Sequence, residues 1–205
     1  MEPSAKNGRK RLRGIFAIEG EWQSDLRGGL SFRPLLEIIR SLQRSPFVHR
    51  DAATREELFY YLRKWTQKRY ARYSILYLGF HGNEESIQIG DARERNCEVR
   101  LDELTEELAG KCDKKIIYFG SCSTVGVDER RLQNFLQKTR ALAICGYRVE
   151  IDMVRSAAFE LLLLNTLLGN ALTINGVRAM RRRILTEERH LVRELGFRMV
   201  VRKNS

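Results

Sequence analysis

His81 and Cys122 are the two side chains of this sequence whose types and settings could do covalent chemistry together. A thiolate is a strong nucleophile. An imidazole titrating near neutrality can take the thiol proton and later hand it to a leaving amine. Each residue stands at the end of a short apolar run: His81 after Tyr73–Phe80 (YSILYLGF), and Cys122 after Lys115–Gly120 (KIIYFG) and Ser121. Gly82 removes a side chain where a substrate backbone would pass. Its N–H and that of Cys122 could hold the oxyanion of a tetrahedral intermediate. Gly120, Ser121 and Ser123 are small and keep the thiol reachable. The other candidates are weaker. Cys145 lies inside an apolar run and reads as packing. Cys97 and Cys112 fall in expected loops, His49 and His190 in polar surroundings that read as surface, and Trp22 and Trp65 read as packing residues. No CxxC occurs, Cys112 and Cys122 are too far apart for a zinc knuckle, and His81 lacks companion ligands, so no metal and no cofactor is expected.

Positioning such a pair requires strands that end side by side, and the chain alternates apolar strands with amphipathic helices throughout. Gly14–Glu19, Pro46–Arg50, Tyr73–Phe80, Lys115–Gly120, Ala141–Cys145 and Phe197–Val201 read as strands, the last at an edge. Helices are expected after Ser31 as cap (apolar face Leu35, Ile38, Ile39, Leu42) and after a Thr54/Glu57 capping box (Leu58, Tyr61, Leu62, Trp65). Others follow Asp102 (Leu104, Leu108), follow Asp128 (Leu132, Phe135, Leu136), and run over Ser156–Leu168 and Ala179–Leu195. Ser86–Ile89 and Glu98–Leu101 suggest a small exposed hairpin across Gly90–Asn96. Continuously apolar strands separated by helices imply a mostly parallel sheet of about six strands covered on both faces, a three-layer α/β sandwich. In such sheets ligands bind beyond the carboxyl ends of the strands, where His81 and Cys122 both stand.

The 205 residues carry a net charge of +11, but the excess sits at the ends. Met1–Gly14 holds five basic residues against one acidic, and Arg178–Ser205 nine against three, leaving the centre nearly balanced. That distribution argues against nucleic acid as the partner and reads as solvated charge, Arg181-Arg182-Arg183 included. The whole of 1–205 reads as a single domain with basic terminal segments 1–14 and 178–205. No apolar run approaches the ~18 residues of a membrane span, and the basic start leads into no apolar signal core. A cytoplasmic protein with free thiols is the expectation.

The blocks YLGFHG and IIYFGSCS, with His81 and Cys122 41 positions apart, resemble the two signatures of caspase-like cysteine peptidases, the group of caspases, metacaspases, separase and clostripain. VRLDEL between the blocks and CGYRVEIDMVRSAAFELLL after them are most similar to the bacterial CHAT proteases, and the likeness covers Ile15 to Leu168. Tyr147 departs from it, standing where CHAT proteins and separase often carry Trp. The resemblance implies a caspase-like fold and a His81/Cys122 dyad hydrolysing peptide bonds of a protein or peptide substrate in a regulatory role, with a regulatory protein as a further partner. It also implies a specificity pocket between the carboxyl ends of the first strand and of the strand after the nucleophile. Glu19 or Glu21 and Glu150 or Asp152 stand there, and carboxylates would favour cleavage after Arg or Lys. Arg148 in the same segment could neutralise them. Two other readings stay open: a catalytically silent caspase-like adaptor or scaffold, and a basic nucleic-acid-binding protein.

Overall fold

The computed structural model describes residues 12–203 apart from 24, 26 and 92–96. Most of the basic segment 1–14 and the tip of the expected hairpin therefore lie outside the described residues. Six strands form the main sheet: β1 (Gly14–Glu19), β2 (Phe47–Asp51), β3 (Tyr73–Gly79), β7 (Ile116–Phe119), β8 (Ala143–Tyr147) and β9 (Phe197–Val201). Their order is β2-β1-β3-β7-β8-β9, all parallel except β9, which pairs antiparallel with β8 at the edge. A parallel sheet must be covered on both faces, and the strand residues divide accordingly. Phe16 and Ile18 face a core shared with α2 (Arg55–Trp65), α3 (Leu101–Glu107) and α4 (Glu129–Thr139). Ile15 and Ala17 face the opposite core, built with α1 (Arg33–Gln43), α5 (Met153–Gly169) and α6 (Ile174–Glu187). The architecture is thus α/β, with a mostly parallel six-stranded sheet between two helical layers. No helix among the described residues is long and apolar enough to cross a membrane.

Local chemistry sets most boundaries as expected. Thr54 accepts from the Glu57 N–H while Glu57 reaches back to the Thr54 N–H, closing the capping box of α2. Asp128 caps α4 through the Arg130 N–H. Elsewhere the chain departs from its local signals. The boundary of α1 falls one residue later, at Phe32, but Ser31 still serves its first turn, accepting from the Arg33 N–H at 3.1 Å while donating to Glu19, and the buried stripe is Leu35, Leu36 and Ile39, leaving Ile38 and Leu42 exposed. α3 begins one residue before Asp102, with Glu103 folding back on the Arg100 N–H. The long C-terminal helix breaks at Glu188 into α6 and α7 (Arg189–Glu194).

The hairpin has a third strand. β4 (His81–Asn83) pairs with β5 (Ser86–Gln88), which pairs with β6 (Glu98–Arg100). It is docked, not exposed: Ile87 and Val99 are fully buried in the core beneath it. The histidine segment is therefore the first strand of a small sheet lying over the carboxyl edge of the large one.

Candidate functional site

The sheet reverses direction of winding at β1: the chain passes first to β2 on one side and then to β3 on the other. Such a switch point opens a crevice outside the carboxyl ends of the strands. Gly20, Glu21 and Trp22 leave β1 there, His81 leaves β3, and Ser121-Cys122-Ser123 leaves β7 beside it.

The ring of His81 is held from the β1 side. Its Nε2 lies 2.9 Å from the main-chain oxygen of Trp22. A carbonyl can only accept, so Nε2 carries the hydrogen, and in the neutral ring Nδ1 keeps the lone pair that a base needs. The indole of Trp22 packs edge-on against the imidazole, centroids 5.1 Å apart, and against Phe32 at 5.0 Å. The imidazole is otherwise exposed to solvent.

Cys122 is brought to it through Gly82. A methyl group on Gly82 would come within 2.5 Å of the Cys122 carbonyl oxygen, 2.4 Å of Thr124 Oγ1 and 2.9 Å of Ser121 Cβ. The His81-Gly82 backbone thus rests directly on the turn that carries the thiol, a contact only glycine permits. That turn is sharp: Ser123 sits in the left-handed region (φ 58°), rare for a residue with a side chain, and Thr124 N–H donates back to the Cys122 carbonyl at 2.6 Å. Ser121 and Thr124 brace it, their hydroxyls 2.8 Å apart and buried, with Thr124 reaching the Ser86 carbonyl of β5 at 3.1 Å. Cys122 itself is half-buried.

The other three cysteines, like Cys122, form no disulfide among the described residues and sit in different settings. Cys112 is buried rather than in an open loop, and burial pushes its thiol up to about 12. Burial raises Cys145 as well. Both stay protonated and unreactive at neutral pH. Cys97 is half-buried at the start of β6.

The four expected specificity carboxylates fall into different places. Glu19 is a correction. It is 2% exposed, and its two oxygens receive Trp22 Nε1 (2.6 Å), Phe32 N–H (2.8 Å), Ser31 Oγ (2.7 Å) and His49 Nε2 (2.6 Å). These bonds hold its carboxyl below the ordinary range against the opposing effect of burial. With every lone pair engaged it cannot receive a guanidinium from a substrate. His49 is corrected with it: its side chain is 9% exposed and bound to Glu19, not on the surface. Glu19, His49 and Asp51 lie close enough to suggest a metal, but the four donors on Glu19 leave its oxygens no lone pair for one. Glu21 is half-buried and lines a cleft of about 200 Å³ with Trp22, Asp25, Leu30, Asp51 and Ala52. Glu150 is exposed, next to Val149, whose carbonyl lies 3.4 Å from the Ser123 N–H. Asp152 caps α5, accepting from Arg155 N–H at 2.8 Å. Arg148 is turned to the Gly196 carbonyl.

Two functional elements escaped the sequence reading. Trp22 orients the histidine, and the available signal was an aromatic three residues past the end of the first strand at the switch point. Glu160 had no visible signal. It is fully buried on α5, where the hydroxyls of Tyr77, Tyr118 and Tyr147 converge on it from three adjacent strands. Burial pushes its carboxyl up to about 7.

No curated protein matches the sequence. The model of DUF6642, a family of unknown function, matches residues 13–201, and the chain belongs to that family.

Proposed function

We propose that the chain is a cysteine endopeptidase of caspase-like type, closest to the CHAT proteases, acting in the cytoplasm through His81 and Cys122. The observation that carries this reading is the bond from His81 Nε2–H to the Trp22 carbonyl, taken with the contact of Gly82 on the Cys122 turn. It leaves Nδ1 as the only site on the neutral ring able to take a proton, on a residue whose neighbour touches the nucleophile's own backbone. The blocks YLGFHG and IIYFGSCS point the same way.

In the reaction Nδ1 takes the Cys122 thiol proton as the sulfur attacks the substrate carbonyl carbon. Negative charge gathers on the carbonyl oxygen, where the N–H groups of Gly82 and Cys122 receive it. The C–N bond breaks, the amine leaves with the proton from Nδ1, and a thioester remains on Cys122. Water, deprotonated by the same nitrogen, attacks the thioester, and the acid product leaves as the thiol is restored. The Trp22 carbonyl keeps the ring oriented through the two proton transfers. Glu21, Glu150 and Asp152 are the expected carboxylates left to favour Arg or Lys before the scissile bond, with Asp51 beside Glu21 in the same cleft, now that Glu19 is committed internally.

The test compares fluorogenic peptides bearing Arg, Lys or Asp before the reporter, using wild type, Cys122→Ala and His81→Ala. Cleavage after Arg or Lys by wild type alone, with unchanged melting temperatures in both variants, is expected. Equal turnover in either variant overturns the dyad. Preference for Asp, or undiminished Arg cleavage in all of Glu21→Gln, Glu150→Gln and Asp152→Asn, overturns the specificity. Complete inactivity, with Cys122 no more reactive to iodoacetamide than Cys97, would favour the silent adaptor instead.

A further inference from the structure

Basic residues scattered along the C-terminal segment are gathered by the fold into one groove, which the proposed peptidase chemistry does not use. The groove, of about 380 Å³, lies beside β9 at the edge of the sheet. One wall is α6, which contributes Arg178, Arg181 and Arg182; the other is α4, which contributes Glu129 and Gln133. These helices cover opposite faces of the sheet, so the groove lies between the two layers. Met199 and Val200 of β9 are buried and form its floor.

The α6 wall is a row of unneutralised charge. Its three arginines are spaced i, i+3 and i+4, which puts them on one stripe of the helix. All three are exposed, and none forms an ion pair among the described residues. The neighbouring Arg183, outside the groove, is paired with Glu187. Like charges at that spacing repel and weaken a helix, and an anion bound among them would relieve the repulsion.

Two further cations on the groove are tethered by the fold. Arg198 is half-buried, and its Nη1 donates to the Val127 carbonyl at 2.6 Å and the Val125 carbonyl at 3.3 Å, in the loop that follows Cys122. Lys203 is anchored through its main chain: its N–H donates to Gln133 Oε1 at 3.2 Å, and its carbonyl accepts from Gln137 Nε2 at 3.0 Å. Glu129 is the one carboxylate among the described lining residues. It lies 3.8 Å from Arg198 Nη2 and 3.7 Å from Lys203 Nζ, beyond hydrogen-bond reach of either. It is a weak internal counter-ion that a denser anion can replace.

We propose that this groove binds a small anion carrying several phosphate groups, held by Arg178, Arg181 and Arg182 on one side and by Arg198 and Lys203 on the other. Guanidinium groups take phosphate oxygens by paired, charge-assisted bonds. Five cations against one carboxylate call for a dense anion. A terminal phosphate group carries about 1.5–2 negative charges at neutral pH, and a carboxylate only one. None of the described lining residues is aromatic, so recognition runs through phosphates and not through a stacked base. The volume is that of a small-molecule site, and a nucleic-acid duplex could touch only its rims.

The experiment titrates the full chain with inorganic tripolyphosphate by calorimetry, with inorganic phosphate, citrate and a short DNA duplex compared at matched ionic strength. We expect one saturable site for tripolyphosphate, with inorganic phosphate and citrate weaker. Affinity should fall about tenfold or more in the triple variant Arg178→Gln, Arg181→Gln, Arg182→Gln. Arg183→Gln removes the same kind of charge from the same helix outside the groove and should leave affinity unchanged. Glu129→Gln removes the internal competitor and should tighten binding. Circular dichroism verifies that α6 stays folded in each variant. Absence of saturable binding overturns the proposal. So does an equal loss in Arg183→Gln, weaker binding in Glu129→Gln, citrate binding as tightly as tripolyphosphate, or tighter binding of the duplex.

Discussion

At the scale of single residues the candidate site is braced by one buried carboxylate. Glu19 gathers the Trp22 indole, the first turn of α1 and His49, and Trp22 in turn sets His81. Replacing Glu19 by Ala leaves four buried or half-buried donors without their acceptor, each costing about 1–3 kcal/mol when unsatisfied. A loss of several kcal/mol in urea melts is expected. Trp22→Phe is the gentler probe, since it removes the Nε1–H bond to Glu19 and keeps an aromatic face against His81. Its stability should fall by about 1 kcal/mol. Its cleavage rate should fall by more than its stability does, because the main chain that fixes the imidazole adjusts when the indole is lost. A rate that falls only in step with stability would show that Trp22 only packs. His81, Gly82 and Cys122 stood out in the sequence because each follows a recognisable strand. Glu19 was noticed for the wrong reason: a charged residue at a strand end looks available, and nothing local reveals four donors arriving from residues 22, 31, 32 and 49.

At the scale of elements, what joins the two halves of the site is β4 lying on the turn after β7. Gly82→Ala tests that joint. The added methyl meets the Cys122 carbonyl oxygen at 2.5 Å, a backbone atom that no rotamer change can move aside. Overpacking of this kind costs about 1–3 kcal/mol, and the relief is to lift β4 off the nucleophile turn. Loss of cleavage should therefore exceed loss of stability, read as kcat/KM against the urea midpoint. A variant as active as wild type would break the link between Gly82 and Cys122. Buried strands were readable from their apolar runs, and α2 and α4 from their caps, because those signals are local. β4 was not: HGN carries no strand pattern, and it becomes a strand only because β5 returns beside it. Ser31 was legible as serving the first turn of α1, but its second bond, to Glu19 in another element, was not.

At the scale of the whole molecule, three central strands and α5 share one buried polar knot, and it gives the protein a pH dependence of definite sign. Tyr77 from β3, Tyr118 from β7 and Tyr147 from β8 all reach Glu160, and Tyr118 also donates to Tyr147 at 2.9 Å. Full burial disfavours the carboxylate and outweighs the three tyrosine hydroxyls, whose hydrogen bonds favour it, so that Glu160 is pushed up to about 7 from 4.5, with Glu19 adding a smaller repulsion. The native state therefore binds the Glu160 proton more tightly than the unfolded chain does. The stability it confers is complete below about pH 4.5 and is lost as pH rises towards about 7. One proton is worth about 1.4 kcal/mol per pH unit, so the swing is on the order of 3 kcal/mol across that window. Glu160→Gln keeps the shape and an acceptor but cannot ionise. Urea melts at a series of pH values should show wild type losing stability relative to E160Q between about pH 4.5 and 7, with the difference flat above it. Parallel curves for the two proteins would mean that Glu160 does not carry this proton. Wild type losing stability relative to E160Q as pH falls below about 4.5 would mean that the tyrosines hold it as a carboxylate.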